Sequence, residues 1–345
     1  MATRTIRHGT VDYPSADRIT IGASRIALAG ITAVFALLTL SGNLPSLDVQ
    51  MILYLVGMIG LNLPHGGYEH FSNLRRRGVP FGARYVALYL LFVAGFIALF
   101  FLWPVFALGL AFATAVLKGG HGDLHVMDGL IGTDHLQYRF QRFLAAFVRG
   151  GAIMIVPLVF WPEIYYAFAS IMVSVFDPGA TGTLVANMEA GRPLLGGLFG
   201  VALVAHLVTG LAVAGVSRTW LADAGESLLL TVYFAVVPVV VSIGLYFPLW
   251  YSLRQSGRDY IVQTETSTED DGLPIPVVWG VLVVGALVTG LVAATLWVVA
   301  PNPLGTEGLL SGTVAFYTIF VCIIAFPHVV VGEWLDFGRG IWYVP

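Results

Sequence analysis

Apolar residues fall along this chain in long blocks. Continuous runs of roughly 20 residues occupy positions near 22–41, 84–102, 144–161, 195–216, 228–250, 276–299 and 312–332, each sufficient to cross a bilayer as a helix. Three further runs, 50–65, 104–118 and 163–175, are shorter or interrupted, and each reads as a span, a half-span or a re-entrant segment. The pattern predicts an all-α fold, a polytopic transmembrane helical bundle of about eight to ten spans. No composition shift divides residues 1–345, which read as a single integral membrane domain, and no internal repeat is visible. The most solvated interior stretch, Thr264 to Asp271, reads as a loop.

Composition agrees with this pattern. The chain is 57% hydrophobic and 11% charged, with a mean hydropathy of +0.84. An ordinary solvated surface cannot be assembled from such material, so the expected partner of most of the surface is the lipid bilayer. A net charge of −3, with 17 basic residues spread through the loops, leaves no basic stripe for nucleic acid. The single cysteine, Cys322, lies in an apolar run and excludes an internal disulfide or a Cys-cluster metal site. The first twenty residues are polar and mixed in charge, so the first apolar run reads as a span rather than a cleaved signal.

If all three weak runs cross, both termini share one face. Arg4, Arg7, Arg18, Arg75 to Arg77, Arg139, Arg142, Arg254, Arg258 and Arg339 then fall together on it. The positive-inside rule makes that face cytoplasmic and predicts a multi-pass protein of the cell membrane with cytoplasmic termini. Arg218 is the one clear exception, and removing the 163–175 segment as a span would invert everything after it.

Ionisable groups at membrane depth are costly and point to function. Pro64-His65-Gly66-Gly67-Tyr68-Glu69-His70 combines helix-breaking residues with His65 and Glu69, and irregular backbone at that depth is tolerated only where it is buried or lines a cavity. Lys118-Gly119-Gly120-His121-Gly122-Asp123-Leu124-His125 places His121 and His125 one helical turn apart, a spacing used to grip metals. Trp250-Tyr251-Ser252-Leu253-Arg254-Gln255 is polar without histidine, and His328 follows Pro327 near the end of the last run. Under ten-span parity these four groups lie at one depth. His70, His125 and His135 read more readily as interfacial residues than as ligands. His206, alone in its run, is balanced between a packing hydrogen bond and a pocket residue. Aromatic residues make up 13% of the chain and permit an apolar ligand lining.

These segments resemble the bacteriorhodopsin-related (Brp/Blh) family of membrane β-carotene 15,15′-dioxygenases along most of the chain. Leu63-Pro64-His65-Gly66-Gly67-Tyr68-Glu69-His70 is similar to the family's G-x-P-H-G-x-x-D-H, with Glu69 for Asp. Lys118 to Asp123 fits H-x-G-x-x-D with Lys118 where histidine is expected, and Arg149-Gly150, Pro157 and Phe160-Trp161-Pro162 resemble R-G…P-x-x-F-H-P. Trp250 to Gln255 is similar to W-H-S-x-R-H with Tyr251 and Gln255 in place of both histidines, and Pro327-His328 resembles the closing P-H.

The resemblance implies central cleavage of β-carotene to retinal with O₂, Fe(II) as cofactor, an apolar polyene (β-carotene, retinal) as substrate or ligand, and a microbial rhodopsin as a partner. Of the positions thought to hold iron in that family, His65 alone matches, while Lys118, Tyr251 and Gln255 are substituted. His121 and His125 are the best-spaced replacements, giving His65, His121 and His125 as the candidate metal set. Glu69, His70, Asp123, Trp250, Arg254 and His328 are the other candidate pocket residues. An ammonium repels a cation, and Tyr and Gln are poor neutral donors for iron. A non-catalytic carotenoid- or retinal-binding paralogue assisting rhodopsin biogenesis is therefore the alternative. A di-iron hydroxylase or desaturase is the weakest reading, because HxxxH occurs once and no HxxHH box is present.

Overall fold

The computed structural model describes residues 16–62, 83–258, 275–306 and 308–337. Every regular element among them is helical. Helix α1 is Ala16–Leu40 and α2 is Leu47–Leu55, which continues as a π-helical segment, Val56–Asn62. Helices α3 (Ala83–Leu102), α4 (Pro104–Leu130), α5 (Arg139–Phe160) and α6 (Pro162–Ser174) follow. A 3₁₀ turn, Pro178–Ala180, leads into α7 (Thr181–Ala214), then α8 (Arg218–Val236) and α9 (Val239–Tyr246), which runs into a second π segment, Phe247–Ser252. Helices α10 (Ile275–Val299) and α11 (Leu309–Phe337) complete the described elements.

Among the described residues five helices are long and apolar enough to cross a membrane, lying in α1, α4, α5, α7 together with the 3₁₀ turn before it, and α11. Shorter apolar helices cover Leu47–Ile59, Ala87–Leu102 and Leu287–Val299. The protein is an all-helical membrane protein. Several boundaries differ from the sequence pattern. The 104–118 run belongs to one 27-residue helix, α4, because the glycines and histidines that follow it are compatible with helix when packed. The 228–250 run is broken. Helix α8 stops at Val236, Val237 is extended at φ −86° and ψ 127°, and α9 restarts after Pro238. Proline lacks the N–H that would continue the ladder and disfavours helix in the residue before it. The 163–175 run is the 13-residue α6, which follows α5 across a corner at Trp161 (φ −127°, ψ 46°). At 1.5 Å per residue it extends only ~20 Å, short of the ~30 Å hydrocarbon core.

Helix α5 is the axis of the bundle and packs against α4, α7 and α8. Its buried residues run almost continuously from Leu144 to Leu158, the pattern of a helix enclosed by protein on every side. Around its later turns an aromatic-rich cluster forms from Phe199, Tyr233, Phe234, Tyr246, Trp250 and Tyr251. Helix α4 ends where Gly132 adopts φ 96° and its N–H, like that of Ile131, returns to the Met127 carbonyl. A side chain would strain that conformation, and the reversal carries His135 back into the protein.

Candidate functional site

The site grows from a close approach of α4 and α5. A Cβ on Gly120 would collide with the Ala146 carbonyl, and one on Gly150 would collide with the Val116 carbonyl. Small residues let two membrane helices meet backbone to backbone, where dispersion contacts and polar pairs replace the missing hydrophobic drive. The approach sets Asp123 of α4 beside Arg149 of α5, and their carboxylate and guanidinium form an ion pair.

Arg149 is the hub of a buried network. Its Nη2 donates to Asp223 Oδ1 at 2.8 Å and to Glu226 Oε2 at 3.0 Å, both on α8. Arg254, beyond the second π segment, donates from Nη2 to the same Glu226 oxygen at 2.9 Å, and its Nε lies 3.5 Å from Asp123 Oδ1. Arg25 of α1 closes the set at 2.7 Å from Glu226 Oε1. Trp250 Nε1 donates to Asp123 Oδ1 at 3.1 Å, while the Arg254 guanidinium stacks 4.1 Å above the Trp250 ring. Two imidazoles face the remaining Asp223 oxygen, His135 Nε2 at 2.7 Å and His206 Nε2 at 3.1 Å. Three guanidiniums thus oppose three carboxylates. Each ion taken out of water costs on the order of several kcal/mol, so the balance of charge and the density of hydrogen bonds are conditions for the network to exist at all.

The second π segment presents two consecutive side chains to α4. Pro248 has no N–H for the Gly244 carbonyl, which loosens the helix toward i→i+5 bonding, and Gly57 of the first π segment packs against that carbonyl. Trp250 then reaches Asp123, and Tyr251 lies against Gly122, where a Cβ would come within 2.7 Å of its ring. Gln255 Nε2 donates to the Gly122 carbonyl at 2.8 Å. Lys118 Nζ sits 5.8 Å from the centroid of the Tyr251 ring, within cation–π range. Lys118, His121, Gly122 and His125 are half-buried, and their spacing puts them on one side of α4.

The structure therefore brings Lys118, Tyr251 and Gln255 together around Gly122, and sets Asp123, Trp250 and Arg254 in the adjoining ionic network. His65, Glu69 and His70 lie outside the described residues, as does the side chain of His328. Trp161 is not part of this assembly. Its indole donates to the Ala235 carbonyl at 3.1 Å at the α5–α6 corner, roughly 16 Å along the helix axis from Gly150. His135, read from sequence as interfacial, is instead fully buried on Asp223, because the Gly132 turn sends it inward. His206 makes a buried hydrogen bond to the same carboxylate. Asp223 and Glu226 escaped the sequence reading, although two carboxylates one turn apart at the head of an apolar run were a usable signal.

A fully helical membrane bundle with a charge-balanced polar core is the class these features define. The model of the β-carotene 15,15′-dioxygenase family matches residues 56–336, and the chain belongs to that family. It is 49% identical over 344 residues to proteins named probable β-carotene 15,15′-dioxygenase Brp in two strains of Halobacterium salinarum, covering 96% of each chain. It is 30% identical over 336 residues to the probable β-carotene 15,15′-dioxygenase Blh of the same species, covering 94% of this chain and 95% of that one. No solved structure matches the chain.

Among the described residues no three His, Cys, Asp or Glu side chains converge to hold a metal ion. Near Gly122 the described nitrogen donors are an ammonium, an amide and the imidazoles of α4, and Asp123 is already held by Arg149 and Trp250. This set does not fit Fe(II), which takes neutral imidazoles with open positions for substrate and O₂.

Proposed function

We infer that this protein is a carotenoid-cleavage oxygenase of the retinal-forming type, splitting β-carotene at its central double bond with O₂. One observation carries the reading, the 49% identity sustained over 96% of the chain to relatives of that name. Burial of a long polyene against aromatic and aliphatic walls supports it physically, since such a ligand needs little polar contact. The buried network fixes α4, α5, α8 and the π segment relative to one another, so the Lys118, Tyr251 and Gln255 side chains are presented on a rigid frame.

The meeting of Lys118, Tyr251 and Gln255 around Gly122 favours a second reading, in which the chain binds carotenoid or retinal without cleaving it and serves a microbial rhodopsin. Expression in a carotene-accumulating host separates the two. Retinal formed by the unmodified protein and abolished by His65→Ala supports cleavage, whereas unchanged carotene that co-purifies with the chain supports binding alone. Iron measured in the purified protein belongs to the same experiment. Weak or substoichiometric iron is expected, and tight stoichiometric iron that survives both His121→Ala and His125→Ala would exclude these imidazoles as ligands.

Residence in the cell membrane with cytoplasmic termini completes the proposal. It is supported by Arg139 and Arg142 at the start of α5, basic residues at the end of a membrane-spanning helix. Single cysteines at Arg76 and Glu269 test it by labelling from outside. Labelling at Glu269 but not at Arg76 would mean that α6 does not count as a crossing.

A further inference from the structure

Of the 17 lysines and arginines in this chain only Lys118 is a lysine. Every other cationic position, in the polar segments and in the buried network alike, is filled by arginine. A guanidinium stays protonated and cannot act as an amine, whereas a lysine ε-amino group can lose its proton and attack a carbonyl. The one amine-bearing side chain is also not at the surface of a loop. It stands midway along α4, half-buried in a helix long and apolar enough to span the bilayer. Its Nζ lies 5.8 Å from the Tyr251 ring centroid, and Tyr251 belongs to the aromatic cluster of Tyr233, Phe234, Tyr246 and Trp250, against which Val116 of α4 packs. An ionisable side chain at membrane depth is by default a functional position.

Dioxygenase cleavage of a carbon–carbon double bond leaves an aldehyde on each separated carbon, so a family that splits a polyene generates conjugated polyene aldehydes in this membrane. We propose that Lys118 captures such an aldehyde covalently as a Schiff base. The inference rests on the polyene reading above. The unprotonated Nζ adds to the aldehyde carbon, the carbonyl π pair moves to oxygen, and a carbinolamine forms. Loss of that oxygen as water, with both amine protons, leaves the C=N bond and no change of oxidation state. Tyr251, whose ring lies beside the Lys118 amine, flanks the new linkage.

The single lysine makes the test sharp, because the only other primary amine is the chain's amino terminus. The purified full-length protein in detergent is incubated with all-trans-retinal, reduced with cyanoborohydride, digested and mapped by mass spectrometry. A stoichiometric retinyl adduct on the Lys118 peptide is expected, lost in Lys118→Arg, which keeps the cation and whose elution profile reports its fold. A parallel incubation with hexanal should give far less adduct. Equal labelling by hexanal, labelling of the amino terminus alone, or an unmodified Lys118 overturns the proposal. Retinal that co-elutes without an adduct defeats the Schiff base while leaving the polyene reading intact. Failure to retain retinal in any form defeats both.

Discussion

On the side of α4 that carries Gly120 and Asp123, backbone meets backbone across α5, and the carboxylate is held by Arg149, Trp250 and Arg254. On the side that carries Lys118, His121, Gly122 and His125 the residues are half-buried, and the contacts named above come from the ring of Tyr251 and the amide of Gln255. The two sides alternate within one eight-residue motif. They differ in what they tolerate. The first has no freedom, since its glycines leave no room for a Cβ and its charges cancel only as a set. The second meets flexible side-chain ends, so its chemistry can change while the helix pair stays as it is. That contrast lets the side chains at Lys118, Tyr251 and Gln255 vary while the α4–α5 contact stays in place.

The largest effect should come from breaking the closed side. Arg149→Ala leaves Asp123, Asp223 and Glu226 facing one another with one guanidinium fewer, and removal of one partner from a buried pair costs ~3–5 kcal/mol. We expect little monodisperse protein after detergent extraction. Arg149→Lys should not rescue it, because one ammonium cannot span carboxylates on α4 and α8 with a planar fork of donors. Recovery of either variant with wild-type melting behaviour would show that the network is dispensable.

A second pair of variants measures the contrast directly. Gly150→Ala puts a methyl group into the Val116 carbonyl, an atom that cannot move without shifting α4, and overpacking of this kind costs ~1–3 kcal/mol. Gly122→Ala meets the Tyr251 ring edge and the Gln255 amide, side-chain atoms that can shift without moving a helix backbone. Thermal unfolding followed by intrinsic fluorescence should therefore rank Gly150→Ala well below Gly122→Ala. The reverse order would mean that the open side is the more constrained one.

The difference between the two sides also sets what could be read from sequence. Membrane helices were legible from the apolar runs because burial in lipid imposes length and hydropathy on each residue. The break at Val237 is hidden within the run 228–250 despite Pro238, since an apolar run carries no record of backbone geometry. Gly120 and Gly150 could be matched to motifs, but their reason, the contact between α4 and α5, is tertiary. Asp223, Glu226 and Arg25 matched no motif at all. Their partners come from helices distant in sequence, and only the packed bundle reveals that the charges cancel. Lys118, Tyr251 and Gln255 were found as departures from a pattern, and their convergence on Gly122 follows from the proline-loosened turn at Pro248.

The smallest effect on stability is expected where the largest effect on chemistry is sought. Lys118→His, Tyr251→His and Gln255→His, combined, place imidazoles at three positions that already meet around Gly122. Tyr251 and Gln255 are buried but carry no charge and stand outside the ionic network, so the triple variant should lose only about 1 kcal/mol, the centre of the range for point substitutions. Gln255 gives up one hydrogen bond to the Gly122 carbonyl, a loss of ~0.5–1.5 kcal/mol that a histidine N–H can in part replace. Iron bound per chain and retinal formed in a carotene-accumulating host should both rise above wild type, while Trp250 and Arg254 hold the new ligands in place through Asp123 and Glu226. A folded triple variant that gains neither iron nor retinal would show that this side of α4 no longer serves oxygen chemistry, leaving polyene binding as the better account. A triple variant that fails to fold would break the comparison itself, because the open side would then be as constrained as the closed one.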